Sequence, residues 1–200
     1  MDIRSVAFAR AVHRHADLPK DRRPQVAIVG RSNVGKSTLI NALLGRKKGV
    51  ARVSQTPGKT QAIHFYLVND RFYLVDLPGY GYARVPREVS RAWGDLVGGY
   101  LESAQELRML LLLLDARRIP SDEDLQIRDW MEARQRPWRV VLTKVDKLSG
   151  NDLAKSRRAV AESLGLDRDD LIAFSARDRR GVPPIWSAID TAVAEARTKE

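Results

Sequence analysis

Apolar positions along the chain fall into two rhythms. Val26-Ala27-Ile28-Val29, Leu107–Leu114, Arg139–Leu142 and Leu171–Phe174 are short, mostly unbroken runs of the kind that strands buried on both faces require. Ile63–Val68 and Phe72–Val75 read as two more strands, joined at Asn69-Asp70 by a hairpin signal. Between the runs the spacing becomes helical. One helix follows a pair of glycines, from Lys36 to about Leu44, and Gly45 closes it. Another runs from Pro86 to about Ala104, weakened by Gly94, Gly98 and Gly99. Ser121, with Asp124 three residues on, has the form of a capping box; the helix it opens carries Ile127, Trp130 and Met131 on one face. Ile185, Ile189 and Val193 repeat at helical spacing in the last helix.

Strands alternating with helices predict an α/β fold of right-handed βαβ units, with a mostly parallel sheet and one antiparallel edge strand from the hairpin. The length of 200 residues suits one domain. Residues 1–24 read as a basic N-terminal arm packed on it, with Arg4, Arg10, Arg14, Lys20, Arg22 and Arg23 against few acids; residues 25–196 form the domain. The longest apolar run, Met109–Leu114, is far short of the roughly 20 residues that span a bilayer. No secretory signal is read at the N-terminus. The absence of cysteine excludes a disulfide framework and thiolate metal sites, and a cytoplasmic location is expected. The net charge of +10 favours contact with polyanions, nucleic acid above all, although solubility alone would also account for it.

The chemistry lies in short strings, three of which follow the strands of this reading: the phosphate loop, D-x-x-G and T-K-x-D. Gly30-Arg31-Ser32-Asn33-Val34-Gly35-Lys36-Ser37 fits G-x-x-x-x-G-K-[ST], with a strand before it and a helix after it. The glycines let the backbone turn so that its N–H groups face inward, and the positive end of the helix adds to their pull on phosphate oxygens. Lys36 reaches the β- and γ-phosphates, and the Ser37 hydroxyl can ligate Mg²⁺. Asp76-Leu77-Pro78-Gly79 ends a strand as D-x-x-G: the carboxylate can hold Mg²⁺ through water, and the Gly79 N–H can sense a γ-phosphate. Between these lies Thr56-Pro57-Gly58-Lys59-Thr60-Gln61. A threonine there can complete the metal shell once a γ-phosphate orders the loop; Thr60 is the choice and Thr56 the competitor.

Thr143-Lys144-Val145-Asp146 follows a strand, two strands after D-x-x-G. A carboxylate such as Asp146 accepts hydrogen bonds from guanine N1–H and N2–H₂, donors that adenine lacks, so the pocket rejects the wrong base strongly. The stem of Lys144 can cover the base plane. Phe174-Ser175-Ala176 ends the next strand, where a backbone N–H could meet guanine O6. The reading is therefore a GTP- and GDP-binding protein.

The ordered strings are similar to those of translation-factor-related GTPases, and the details resemble the EngB family of bacterial GTP-binding proteins. The resemblance rests on Gly30–Thr38, Pro57–Gln61, Asp76-Leu77-Pro78-Gly79-Tyr80-Gly81-Tyr82-Ala83, Thr143–Asp146 and Phe174–Ala176, and runs from about residue 5 to 195. It implies a three-layer Ras-like fold, GTP and Mg²⁺ binding, and a role in assembling the large ribosomal subunit, with its rRNA and ribosomal proteins as partners. It also implies a requirement in cell division and septation. Metal ligands carry over to Ser37 and Thr60. Nucleotide contacts carry over to the phosphate loop, Gly58-Lys59-Thr60-Gln61-Ala62, Asp76–Gly79, Thr143–Asp146 and Phe174–Ala176. Thr143 stands where the broader N-K-x-D pattern has asparagine, which leaves open the contact that the asparagine makes.

Lys36 and Asn33 are the candidate catalytic residues. Asn33 sits where some related GTPases bind a K⁺, the alternative being an ordinary loop asparagine. Tyr80 occupies the position after D-x-x-G where many GTPases carry a water-orienting glutamine, so slow turnover is expected. Tyr80 and Tyr82 read equally as interaction anchors or core residues. Basic clusters at Arg46-Lys47-Lys48, Arg117-Arg118, Arg157-Arg158 and Arg177–Arg180 read as solvated faces, or, near the loops, as an RNA-facing surface. His13, His15 and His64 read as structural or surface residues, and the tryptophans as core. A monomeric, nucleotide-dependent switch is the leading reading; a constitutive RNA-binding or division-scaffold protein is the alternative.

Overall fold

A computed structural model describes residues 2–45, 62–81 and 87–195, apart from the side chains of 87–93. Its strands are β1 (Val6–Val12), β2 (Gln25–Gly30), β3 (Ile63–Val68), β4 (Phe72–Asp76), β5 (Leu107–Asp115), β6 (Trp138–Thr143) and β7 (Leu171–Ala173). The helices are α1 (Lys36–Leu43), α2 (Arg87–Ser103), α3 (Asp122–Ala133), α4 (Gly150–Leu164) and α5 (Val182–Ala194). The strands form one sheet in the order β1-β3-β4-β2-β5-β6-β7.

β2 is central because it can be buried on both faces. Val26 and Ile28 pack with Leu39, Ile40 and Leu43 of α1 and with Ile185 and Ile189 of α5. Ala27 and Val29 point the other way, into the layer that holds Tyr100 of α2, Met131 of α3 and Leu164 of α4. β5 divides likewise: Met109, Leu111 and Leu113 serve the first layer, Leu110, Leu112 and Leu114 the second. This is why Leu107–Leu114 shows no alternation. The result is the expected three-layer α/β architecture.

β3 runs against its neighbours, and the turn to β4 places Asn69 and Asp70 at φ of 52° and 54°. β1 extends the sheet beyond it, antiparallel to β3 with a bulge between Phe8 and Arg10. Much of the basic arm is therefore a sheet strand. Its strand character is hidden because only Val12 of the seven is fully buried. The Asn69 side chain holds its start, accepting from Arg4 N–H at 2.7 Å and donating to the Asp2 carbonyl at 2.8 Å.

α4 is a helix for which the apolar rhythm gives no expectation. Ser149 caps it by accepting from the Asp152 N–H at 3.2 Å, and it buries only Val160, Ala161 and Leu164. The capping box at Ser121 and Asp124 forms as expected. Trp186 is buried and meets Phe72 edge-on at 6.5 Å; Trp130 and Trp138 are partly buried against the other layer. No described helix is long and apolar enough to cross a membrane.

Candidate functional site

Parallel strands all end on one side of the sheet, so loops far apart in sequence meet there. The loop after β2, the loop after β4 and the loop after β6 carry the three strings described above. Gly35, at φ 109°, turns the chain into α1, and no side chain caps that helix. Its first N–H groups are thus offered to an anion rather than consumed within the protein. A phosphate group fits this cradle.

The Lys36 ammonium is ion-paired with the Asp76 carboxylate at the end of β4. His64 Nδ1 lies 3.9 Å from the other Asp76 oxygen. Burial works to raise the pKa of Asp76, but Lys36 and His64 outweigh it and hold the group below its ordinary value of 3.8. Asp76 is therefore a buried anion beside the first turn of α1, on which Ser37 stands. That pair of oxygens suits a hard divalent cation. Leu77 is fully buried, and its N–H donates to the Ile28 carbonyl at 3.1 Å, fixing the D-x-x-G turn against β2. The Tyr80 carbonyl then accepts from the Ser32 N–H at 2.8 Å, which brings the turn into contact with the phosphate loop.

Thr143 makes the phosphate-loop contact that was open in the sequence. Its hydroxyl donates to the Val34 carbonyl at 2.6 Å, with the Leu114 carbonyl at 3.2 Å. Lys144, at φ 59°, bends the chain out of β6 and donates to the Asn33 carbonyl at 2.7 Å and to Asp115 at 2.9 Å. Asp146 follows in a short 3₁₀ turn, Val145–Lys147, with Val145 buried beneath it. The Asp146 carboxylate is mostly covered, 3.6 Å from the Lys147 ammonium. Ser175 is fully buried; its hydroxyl accepts from the Arg177 N–H at 3.2 Å and its own N–H is spent on the Arg180 carbonyl. The Phe174-Ser175-Ala176 loop thus lies beside the base loop, with Val145 N–H 3.5 Å from the Phe174 carbonyl.

Tyr80 is a core residue, 5% exposed, and its hydroxyl donates to the buried Asp124 carboxylate of the α3 capping box. Burial first, and then the Asp124 charge, push its phenol well above the ordinary value of 10. Gly58, Lys59, Thr60, Gln61, Thr56, Tyr82, Ala83 and the Arg46-Lys47-Lys48 cluster lie outside the described residues, as does the side chain of Trp93. Ala62 is buried just before β3. His15 lies 2.9 Å from the Ser103 hydroxyl of α2, away from the site.

Three residues act here in ways not foreseen from the sequence, Asp124 having been read only as part of a capping box. Asp115 receives Arg117 in two-point contact at 2.9 and 2.8 Å as well as Lys144, so it orients the base-loop lysine. Asp124 receives Tyr80. Gly181 sits where a Cβ would lie 2.2 Å from the Ala173 carbonyl oxygen, so only glycine closes the turn that carries Ser175 and Ala176. The Gly181-Val182-Pro183-Pro184 string, glycine and proline at a helix start, was its one available sign.

Residues 25–144 match the family model described as 50S ribosome-binding GTPase. The chain is 44% identical over 190 residues to a probable GTP-binding protein EngB from Thermoanaerobacter pseudethanolicus, covering 95% of this chain and 98% of that protein. It is 45% identical over 198 residues to the protein of the same name from Trichlorobacter lovleyi, covering 98% of each. The fold matches a crystal structure of a probable GTP-binding protein engB with a TM-score of 0.70 at 24% identity, over 86% of this chain and 99% of that one.

Proposed function

Since the chain belongs to the EngB family of GTP-binding proteins, a P-loop GTPase family, we propose that it is a slow, Mg²⁺-dependent switch acting in the cytoplasm on precursors of the large ribosomal subunit. The observation that carries this reading is the joining of three loops. Thr143 and Lys144 of the base loop hydrogen-bond the carbonyls of Val34 and Asn33, while Lys36 meets Asp76 of D-x-x-G. One nucleotide can therefore touch the base reader, the phosphate cradle and the γ-phosphate sensor together.

The N–H groups at the start of α1 and the Lys36 ammonium bind the phosphates. Ser37 and Thr60 would hold Mg²⁺, with the Asp76 carboxylate in support. When bound, the metal would supply positive charge to the phosphate groups. Asp146 reads guanine. Turnover is slow because Tyr80, in the position of a water-orienting side chain, is committed to Asp124 in the interior. The exposed Asn33 side chain would hold a K⁺, which would add positive charge beside the phosphates. The +10 charge supports rRNA as the partner surface, and a role in division and septation follows through the family.

Co-sedimentation with large ribosomal subunits tests the reading. The GTP-analogue form is expected to bind and the GDP form to bind weakly, with affinity falling steeply as salt rises. Equal binding in GTP, GDP and nucleotide-free forms would instead favour the constitutive scaffold. A preference for ATP over GTP would overturn the assignment of nucleotide.

A further inference from the structure

A cleft of about 390 Å³ opens beside the phosphate loop, lined among others by Arg31, Asn33, Arg117, Arg118, Asp124 and Lys144, of which Asn33 and Lys144 also belong to the nucleotide site. Its two carboxylates are already committed. Asp115 is taken by Arg117 and Lys144, and Asp124 by Tyr80 and by Ser121, whose N–H and hydroxyl donate at 2.7 and 2.8 Å. Arg31 is in electrostatic contact with Glu123 of α3, so Arg118 is the cation of the cleft without an acidic partner among the described residues. Arg118 lies on the loop joining β5 to α3, which is pinned at one end by Asp115 and by the Ser156 hydroxyl on the Ala116 carbonyl at 2.6 Å. At the other end it is pinned by the capping box. Between the pins it projects Arg118 and Ile119, the latter 75% exposed.

The pin at the capping box is also the partner of Tyr80. The Tyr80 carbonyl is tied to the Ser32 N–H of the phosphate loop, and Gly79, the residue before it, is the one expected from the D-x-x-G pattern to sense a γ-phosphate. A displacement of Gly79 is thus passed to Tyr80, from its hydroxyl to Asp124, and from Asp124 to Ser121 at the foot of the projecting loop. Both Tyr80 and Asp124 are buried, so neither can move without its partner.

We infer that the loop 116–121, with Arg31 behind it, is a docking surface for the phosphate backbone of RNA, and that the Tyr80–Asp124 hydrogen bond makes its affinity depend on the bound nucleotide. This rests on the switch reading above. RNA is favoured over an acidic protein segment because the loop offers the guanidinium of Arg118, which matches phosphate geometry, and Ile119 is its one exposed large hydrophobic residue.

The test uses the full chain loaded with GDP or a non-hydrolysable GTP analogue, bound to intact large subunits and to protein-free large-subunit rRNA over a salt series. Arg118→Glu is expected to weaken both by about fivefold or more and to lower the salt slope by about one. Tyr80→Phe is expected to keep GDP affinity but to bring the two nucleotide states within about twofold of each other. If Ile119→Ser weakens binding to intact subunits while Arg118→Glu does not, the occupant is protein and the inference is overturned. If wild-type binding responds to nucleotide and both Arg118→Glu and Tyr80→Phe leave it unchanged, the inference alone falls. If wild-type binding ignores nucleotide, the switch reading falls and this falls with it.

Discussion

The Thr143 hydroxyl donates a 2.6 Å hydrogen bond to the Val34 carbonyl, joining the base loop to the phosphate loop across 109 positions of sequence. Both groups are buried, so the bond has no competing water and its loss would leave a carbonyl unsatisfied. Threonine, standing where the broader pattern has asparagine, thus ties the base loop to the phosphate loop.

Thr143→Val keeps the shape and removes the donor. It is expected to cost about 1–3 kcal/mol of stability and to weaken GTP and GDP alike by about tenfold, because the cradle is less well held in both complexes. Thr143→Ser should restore most of each. Thermal unfolding and titration with a fluorescent GDP measure the two effects; unchanged nucleotide affinity in Thr143→Val would show that the bond is structural only.

Asp146→Asn replaces two acceptors with one acceptor and one donor. Guanine then meets a donor opposite its own N2–H₂, whereas xanthine offers an oxygen there. GTP affinity is expected to fall by about a hundredfold or more and xanthosine triphosphate to become the better ligand. Competition titration checks this, and retained preference for GTP would remove Asp146 from the base pocket.

Asp76 links stability to pH. Its folded pKa lies below 3.8, because Lys36 and His64 overcome the effect of burial. A depressed carboxylate contributes stability that is complete above its unfolded value and is lost as pH falls through the folded one. Nucleotide-free protein should therefore lose melting temperature below about pH 4. Lys36→Met removes the main cation, so the decline should begin at higher pH, with about 3–5 kcal/mol already lost at neutral pH. Coincident melting curves from pH 7 to 3 would contradict the pairing.

Tyr80→Gln tests whether a glutamine at this position can orient water. The side chain points into the interior toward Asp124, 5% exposed, so the substitution should lower stability and leave GTP turnover within about threefold of wild type. A large acceleration would mean that the side chain at position 80 reaches the phosphates during turnover.

Potassium is tested directly at Asn33, whose side chain is exposed and whose carbonyl is held by Lys144. Turnover in KCl is expected to exceed that in NaCl by about tenfold, a difference removed by Asn33→Ala, in keeping with the scale of electrostatic assistance to phosphoryl transfer. Equal rates in the two salts would dismiss the ion.

The amino-acid sequence alone determined the order of strands and helices around Gly30–Ser37, Asp76–Gly79 and Thr143–Asp146, and hence the nucleotide and its base. Each of these strings is local: a backbone cradle needs consecutive N–H groups, and a strand buried on both faces shows as an apolar run. Tertiary structure decided what depends on distant partners. The pairing of Val6–Val12 with β3 left little trace, because an edge strand buries few of its side chains. Helix Gly150–Leu164 was equally faint, since it buries one narrow side. Tyr80 read equally well as a surface anchor or a core residue until packing turned it toward Asp124, 44 positions away. Thr143 could not be assigned its acceptor before β2 and β6 brought their loops together. Side-chain direction is set by long-range packing, which short sequence strings do not encode.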